Sequence, residues 1–543
     1  MLARRILSRS GSVAGILQAD RGALVGERLD SWKDIATYLG REVRTVQRWA
    51  IARALPIHRL PGGNRPRVFS TKSEIDAWIQ ADAHEDRAHG VSVAVLRFLN
   101  LAGSREDQYF ADGLAEDVID ALVRIPGLRV IARTSSFAFT SKEDDVRNIG
   151  AQLGATWLLE GSIRRDGQRV RVSAQLVSSR DGVHAWSQTY DRQLTDLFAI
   201  QDDIARAIAG ELKVKLSPRQ LAPRMTDDAE AYHAWLKGRS ISQQYTPESL
   251  VEAQACYEAA IARDPRFARP HFGIADLLFH AGQFGITAPP DVFPRARQAI
   301  ARALDLDDQC GEAHALQGTL QGLLDYDWRG AERSFDRAFE LSPGSAGVLD
   351  QHAWYHLTPR MQVAQAVEES EQAVSLDPLS PWAHAHLSLV RLVARQPARA
   401  AEEAQAALAL APGFWWLHWF YGTALLYQGK LRPGFRECQG VYETIRDPLV
   451  VGGMAGLHGL FLRRKKARQL LSELEGMAGT MYAPPFAFAL AYLGLGDDRV
   501  FEWLDKSIDA RDPMVTHLPS MPLYDGIRDD PRFRALLARM HLA

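Results

Sequence analysis

The feature that most restricts the fold is a three-point pattern recurring along the second half of the chain. Alanine, six residues, alanine, four residues, proline appears as Ala253/Ala260/Pro265, Ala331/Ala338/Pro343, Ala366/Ala373/Pro378 and Ala400/Ala407/Pro412. A fifth copy, Ala296/Ala303/Asp308, carries Asp where the others carry Pro. The closing positions lie 43, 35, 35 and 34 residues apart, and the long first interval implies an insertion, placed at Gly285–Pro290. A fixed period of this length marks a stack of small units, each completing the apolar face of its neighbour. Small residues let two antiparallel helices approach closely, and the proline stops the second helix before the next unit begins. Small residues also stand where each first helix would cross its partner: Ala275, Gly318, Ala353, Ser388 and Gly422.

With that period the stretch resembles tetratricopeptide repeats, which implies an all-α solenoid over 229–543 with a groove for a protein or peptide. Past Pro412 the pattern loosens. Gly422, Gly429 and Gly434 continue one copy, Ala467 belongs to another, and Pro485–Leu495 pairs with Val500–Ile508. Asp530 as N-cap and Pro531 at the first helical position predict a capping helix at the end.

The remaining chain divides into a flexible segment 1–27, a basic helical stretch 28–82, an α/β stretch 91–215 and a linker 216–228. A net charge of -2 excludes a protein that coats nucleic acid along its whole length. Three cysteines, Cys256, Cys310 and Cys438, are too scattered for a disulfide framework or a zinc site and fit a reducing compartment. Arg4, Arg5 and Arg9 precede no apolar run of signal-peptide length. The apolar runs Leu449–Leu462 and Met481–Gly496 are shorter than the roughly 20 residues of a membrane span. A cytoplasmic protein without membrane contact is expected.

Within 28–82, Ala36, Gly40 and Val46 have the spacing of a helix-turn-helix: a small residue at the crossing, a glycine for the turn, an apolar plug. Ile35, Leu39 and Trp49 complete the core. On the second helix Val43, Val46, Trp49 and Ala50 share one face, and Arg44, Thr45, Gln47 and Arg48 share the other. Arg can pair bidentately with guanine and Gln with adenine, so that second face suits the major groove of DNA. Two short strands flank Pro61-Gly-Gly-Asn-Arg-Pro and form a candidate wing, with Arg59, Asn64, Arg65 and Arg67 near phosphates. Thr71-Lys-Ser-Glu74 is a capping box that opens a helix over Glu74–Gln80. Ten Arg or Lys against three acids between Arg28 and Lys72 give the electrostatic footprint of double-stranded DNA contact. The stretch resembles the winged helix-turn-helix of the MerR and excisionase group. It departs from that pattern at Arg41, where an apolar residue commonly follows the turn glycine.

Over 91–215 the order of runs predicts a mixed α/β domain, β-α-β-α-β-β-β-α, with hairpin turns at Asp166-Gly167 and Asp181-Gly182. Phe110-Ala-Asp-Gly-Leu, Ile131-Ala-Arg-Thr-Ser-Ser, Leu159-Glu-Gly-Ser-Ile-Arg and Tyr190-Asp-Arg together resemble the TolB N-terminal-like domain. That resemblance implies a fold found between an N-terminal signalling or DNA-binding module and tetratricopeptide repeats, without agreed catalytic residues. Relatives can carry a class III adenylate cyclase at the N-terminus, where this chain has the helix-turn-helix.

No phosphate loop, HExxH or GxSxG motif is present, so neither catalytic residues nor a cofactor are expected. His352 and His356 have a metal-binding spacing without an evident third ligand, and no metal is expected. His384 and His386 lie on different helix faces. Arg133, Ser135, Ser136 and Glu160 could hold a small anion or nucleotide, but strand-end polar residues that satisfy local backbone groups are the cheaper explanation. The aromatic run Phe414-Trp-Trp-Leu-His-Trp-Phe-Tyr reads as inter-repeat core with part facing the groove. These features together predict a DNA-binding transcriptional regulator whose solenoid receives a protein or peptide signal. A module this small is expected to dimerise or to use tandem sites. A cytosolic scaffold without DNA contact and a ligand sensor built on the middle domain are the two other readings.

Overall fold

The computed structural model describes residues 28–29, 31–38, 56–60, 67–72, 74–75, 91–101, 103, 105–139, 145–167, 169–193, 197–212, 225–242, 247–283 and 285–543. The chain divides into two compact units, Met1–Val91 and Ser92–Ala543.

In the first unit, strands β1 (Arg28–Leu29), β2 (His58–Leu60) and β3 (Arg67–Thr71) form an antiparallel sheet in the order β1-β3-β2. The helix Trp32–Tyr38 lies between β1 and β2 in sequence and contributes buried Ile35 and Ala36 to a core shared with Ile75.

The second unit opens with a mixed sheet. Strands β4 (Val91–Val95), β5 (Leu99–Asn100), β6 (Leu128–Ile131), β7 (Trp157–Asp166), β8 (Arg169–Ser178) and β9 (His184–Gln193) run in the order β6-β4-β7-β8-β9, with β5 also paired to β7. The β4–β7 pairing is parallel, and β7, β8 and β9 form an antiparallel meander. Helices Arg105–Val123, Val146–Leu153 and Leu197–Glu211 occupy the expected places. Two small elements were not anticipated, the two-residue β5 and the four-residue helix Arg133–Ser136.

From Ala229 onward the chain is a series of helix pairs. Every alanine of the five copies is buried. The second alanine of each copy closes its helix by accepting the backbone N–H four residues on. The partners are Asp264 to Ala260 (3.0 Å), Asp307 to Ala303 (2.9 Å), Ser342 to Ala338 (2.8 Å), Asp377 to Ala373 (2.8 Å) and Ala411 to Ala407 (3.0 Å). The copy without proline therefore stops at the same point as the others, and there Asp307 Oδ1 accepts from Gln309 N at 3.0 Å.

The spacing irregularity has a structural cause. First helices in two copies end in π-helical turns, Gln321–Asp325 and His352–Leu357, whereas Pro381–Val393 is α-helical throughout. A π turn accommodates one residue more than an α turn. Hence Gly318 and Ala353 lie 13 residues before their repeat alanines, and Ser388 lies 12 before its own. That single residue accounts for intervals of 35, 35 and 34. The insertion is shared between the turn at 285–288 and the helix Pro289–Leu306, which has 18 residues against 14 in Trp328–Leu341.

The two apolar runs are neighbouring buried helices, Pro448–Leu460 and Pro485–Leu495. Their backbones touch through glycines. A Cβ on Gly456 would stand 2.6 Å from Leu490 O, and one on Gly494 would enter the backbone of Gly456. Among the described residues no helix is long and apolar enough to cross a membrane.

Candidate functional site

In the first unit, Ser31 Oγ caps the helix Trp32–Tyr38 by accepting from Asp34 N at 3.1 Å. β2 pairs with β3 in the register His58↔Phe69, Arg59↔Val68, Leu60↔Arg67, so residues 61–66 join two antiparallel strands. Thr71 and Glu74 form a reciprocal capping box: Glu74 N donates to Thr71 Oγ1 at 3.2 Å, and Thr71 N donates to Glu74 Oε2 at 2.9 Å. His58 adds a contact of 2.8 Å from Nε2 to Glu74 Oε1 and stacks on Phe69 at 4.8 Å. Burial raises the Glu74 pKa, but the hydrogen bonds from Thr71 and His58 outweigh it and leave the carboxyl below its ordinary value. Arg44, Thr45, Gln47, Arg48, Asn64 and Arg65 lie outside the described residues, as does most of Glu74–Gln80. Of Arg59 and Arg67 only the backbone, in β2 and β3, is described.

The polar residues singled out in the middle domain find separate partners, one of them on the solenoid. Arg133 Nε pairs with buried Glu116. Ser135 donates through N (3.0 Å) and Oγ (2.5 Å) to Asp377 Oδ1, and its Oγ accepts from Leu379 N at 2.8 Å. Ser136 Oγ donates to Ile131 O at 3.2 Å, and Glu160 Oε2 accepts from Gln175 Nε2 at 2.7 Å. Backbone contacts reinforce the joint, with Ala132 N donating to Leu376 O at 2.8 Å. Each of the four thus has a partner within the protein: Ser135 reaches the end of the helix Val363–Leu376 directly, Arg133 reaches the solenoid through Glu116, and Ser136 and Glu160 bond inside the sheet domain.

A second part of the joint was not read from the sequence. Glu116, Asp117 and Asp120 lie on the helix Arg105–Val123 and face Tyr232, Arg239 and Arg269 of the solenoid. Arg239 Nε meets Glu116 Oε2 at 2.7 Å, Arg269 Nη2 lies 3.9 Å from Asp120 Oδ2, and the Tyr232 hydroxyl donates to Asp117. Burial pushes the Asp117 carboxyl up to about 8. The motif glycine Gly113 admits the helix Ala229–Ser242, because a Cβ there would collide with the Leu236 side chain. A scattered set of opposite charges more than a hundred residues apart carries no local sequence signal.

The groove presented by the first helices is partly filled by the chain's own end. His517 stacks on Trp354 at 3.9 Å, Met521 packs against the repeat core, and Arg395 Nη2 pairs with Asp525 Oδ1 at 2.8 Å. Trp328 Nε1 donates to Met540 O at 2.8 Å and Tyr326 OH to Ile508 O at 3.3 Å. Burial lowers the His517 pKa to about 3 and raises that of Asp512 to about 7. The chain's own residues thus cover the stretch between Trp354 and Arg395. Of the aromatic run, Leu417 is buried, while Trp415 and Trp416 are half-buried and stack at 4.1 Å. Trp382 meets Phe414 edge-on at 5.0 Å. His352 Nδ1 contacts Glu369 at 2.7 Å, and His356 Nε2 contacts Arg360 at 2.6 Å. Among the described residues no three His, Cys, Asp or Glu side chains converge as a metal site would require.

No protein-family model matches the chain. A Rhizobium meliloti protein provisionally named adenylate cyclase 3 is 37% identical over 228 residues, 41% of this chain and 39% of that protein. The transcriptional regulator HilA of Salmonella typhimurium is 23% identical over 281 residues, 50% of this chain and 49% of that protein. The chain spans less than half the length of these curated relatives. Among solved structures, human IFIT1, a dimer with PPP-AAAA, aligns with a TM-score of 0.42 and 13% identity over 63% of this chain and 77% of that one. A tetratricopeptide repeat protein from Parabacteroides merdae aligns with a TM-score of 0.34 and 12% identity, covering 49% of this chain and 100% of that one. Across half of its length the chain is thus similar to a bacterial transcriptional regulator.

Proposed function

We propose that the protein is a DNA-binding transcriptional regulator whose first unit reads DNA and whose helical repeats bind a protein partner. The observation that carries this reading is the antiparallel β2–β3 pair, placed where a wing is expected, in a segment carrying seven more cations than acids between Arg28 and Lys72. The likeness to HilA supports it. In this reading Arg44, Thr45, Gln47 and Arg48 enter the major groove, and Arg59, Asn64, Arg65 and Arg67 hold the backbone. The protein is not an enzyme in this reading; its middle domain is an adaptor in which Ser135 and the Glu116 to Asp120 face serve the joint. A partner peptide would meet the part of the groove left open around Trp382 and Trp416, where aromatic surface remains half-buried.

Selection of bound sequences from a random DNA pool by the full-length protein, followed by titration across a salt series, tests the proposal. A preferred sequence with affinity falling steeply with salt is expected. Absence of DNA binding at low salt would leave only the protein-binding scaffold.

A further inference from the structure

The mixed sheet has two edges, and they are treated differently. β6 abuts the solenoid, where Ala132 N donates to Leu376 O and Arg129 Nη2 to Ser375 O, the latter at 2.5 Å. β9, at the other edge, pairs only with β8 among the described residues. It has ten residues, against roughly 5–6 in a typical strand. Eight of the ten are exposed, and only Tyr190 is buried. Proteins commonly protect such an edge with proline, lysine, a short strand or a bulge. β9 holds neither Pro nor Lys, its charged pair Asp191 and Arg192 stands near one end, and its single irregularity lies at the hairpin end, opposite Leu176/Val177.

The register identifies which amides face outward. The two-residue turn between Asp166 and Arg169 makes these residues a hydrogen-bonded pair, so Arg169 and every second residue after it point toward β7. Val170, Val172, Ala174 and Leu176 therefore bond toward β9, where they face Arg192, Tyr190, Gln188 and Trp186. Backbone groups of Ser187, Thr189 and Asp191 consequently point away from the sheet.

We propose that β9 is a homodimerisation strand that pairs antiparallel with β9 of a second copy of this chain. The strand is self-complementary. A twofold axis at Gln188 sets Trp186 opposite Tyr190 of the second copy and Ser187 opposite Thr189, and brings no like-charged carboxylates face to face. Pairing satisfies the outward N–H and C=O groups and joins two sheets into one. This inference stands independently of the DNA-binding reading.

Light scattering on the size-fractionated full-length protein is expected to give twice the chain's 60.4 kDa. In hydrogen exchange, the Ser187, Thr189 and Asp191 amides are expected to be protected at high concentration and to lose protection on dilution, while Gln188 and Tyr190 stay protected. Thr189→Pro removes one outward donor, leaves the β8 ladder intact and is expected to yield a monomer. A monomer at every concentration overturns the proposal, as does a Thr189→Pro protein that folds and remains dimeric. Should that variant fail to fold, the dilution experiment decides alone, and edge amides that exchange freely at high concentration overturn it.

Discussion

At the residue scale, Asp117 contradicts the usual behaviour of a carboxylate. It is fully buried, accepts from Tyr232, and is held up to about 8, whereas the same group in an unfolded chain titrates near about 4. The folded state therefore keeps a proton that the unfolded state releases between those values. Its contribution is complete below about pH 4 and is lost as pH rises toward 8. Asp117→Asn keeps an acceptor for the tyrosine without the charge. Relative to wild type, the variant is expected to gain stability from pH 5 to pH 7, by up to about 1.4 kcal/mol per unit. Urea denaturation across that range checks this, and a difference that stays flat would place the proton elsewhere. Arg269→Ala should act in the opposite sense, because it removes one of the two arginines that face half-buried Asp120; a loss of about 1–3 kcal/mol is expected from the same measurement.

Among the elements, the glycine contact between Pro448–Leu460 and Pro485–Leu495 gives a contrast that thermal melting can read. Gly494→Ala forces two backbones apart and is expected to cost about 1–3 kcal/mol or more. Gly440→Ala, on an exposed helical position with open space around it, should stabilise by about 0.5–1 kcal/mol. The regular elements were legible because their causes are local. The repeat alanines, the Asp530 cap, the Thr71–Glu74 box and the hairpins at Gly167 and Gly182 act within a few residues of themselves. Period 34 against 35 was visible as a number, but its origin in π turns was not, since nothing in 321–325 or 352–357 breaks helical periodicity. The joint was illegible for a different reason. Arg133 and Ser135 look like a small polar site until Glu116 and Asp377 are brought to them by folding. Of the DNA-facing set, the strand pair around 61–66 could be compared with expectation, whereas Arg44 to Arg48 lie outside the described residues.

For the whole molecule, the proposed regulator and the named relative lead to different assays. Arg48→Ala is expected to weaken binding to the preferred sequence by about 1–3 kcal/mol more than binding to random DNA. Arg65→Ala should weaken both alike. Equal losses in Arg48→Ala would argue against base reading there. With ATP and a divalent metal the full-length protein is expected to form no cyclic AMP above a boiled control, and steady turnover would replace the adaptor reading with an enzymatic one. The sheet domain and the repeats also set a limit on engineering. Because Glu116, Asp117 and Ser135 find their partners at Arg239, Tyr232 and Asp377, a chimera cut near residue 220 would strand ionised and polar groups on both halves. Any functional graft must carry the two modules as one cassette, and the sheet domain could be exchanged only together with the first four helix pairs it grips.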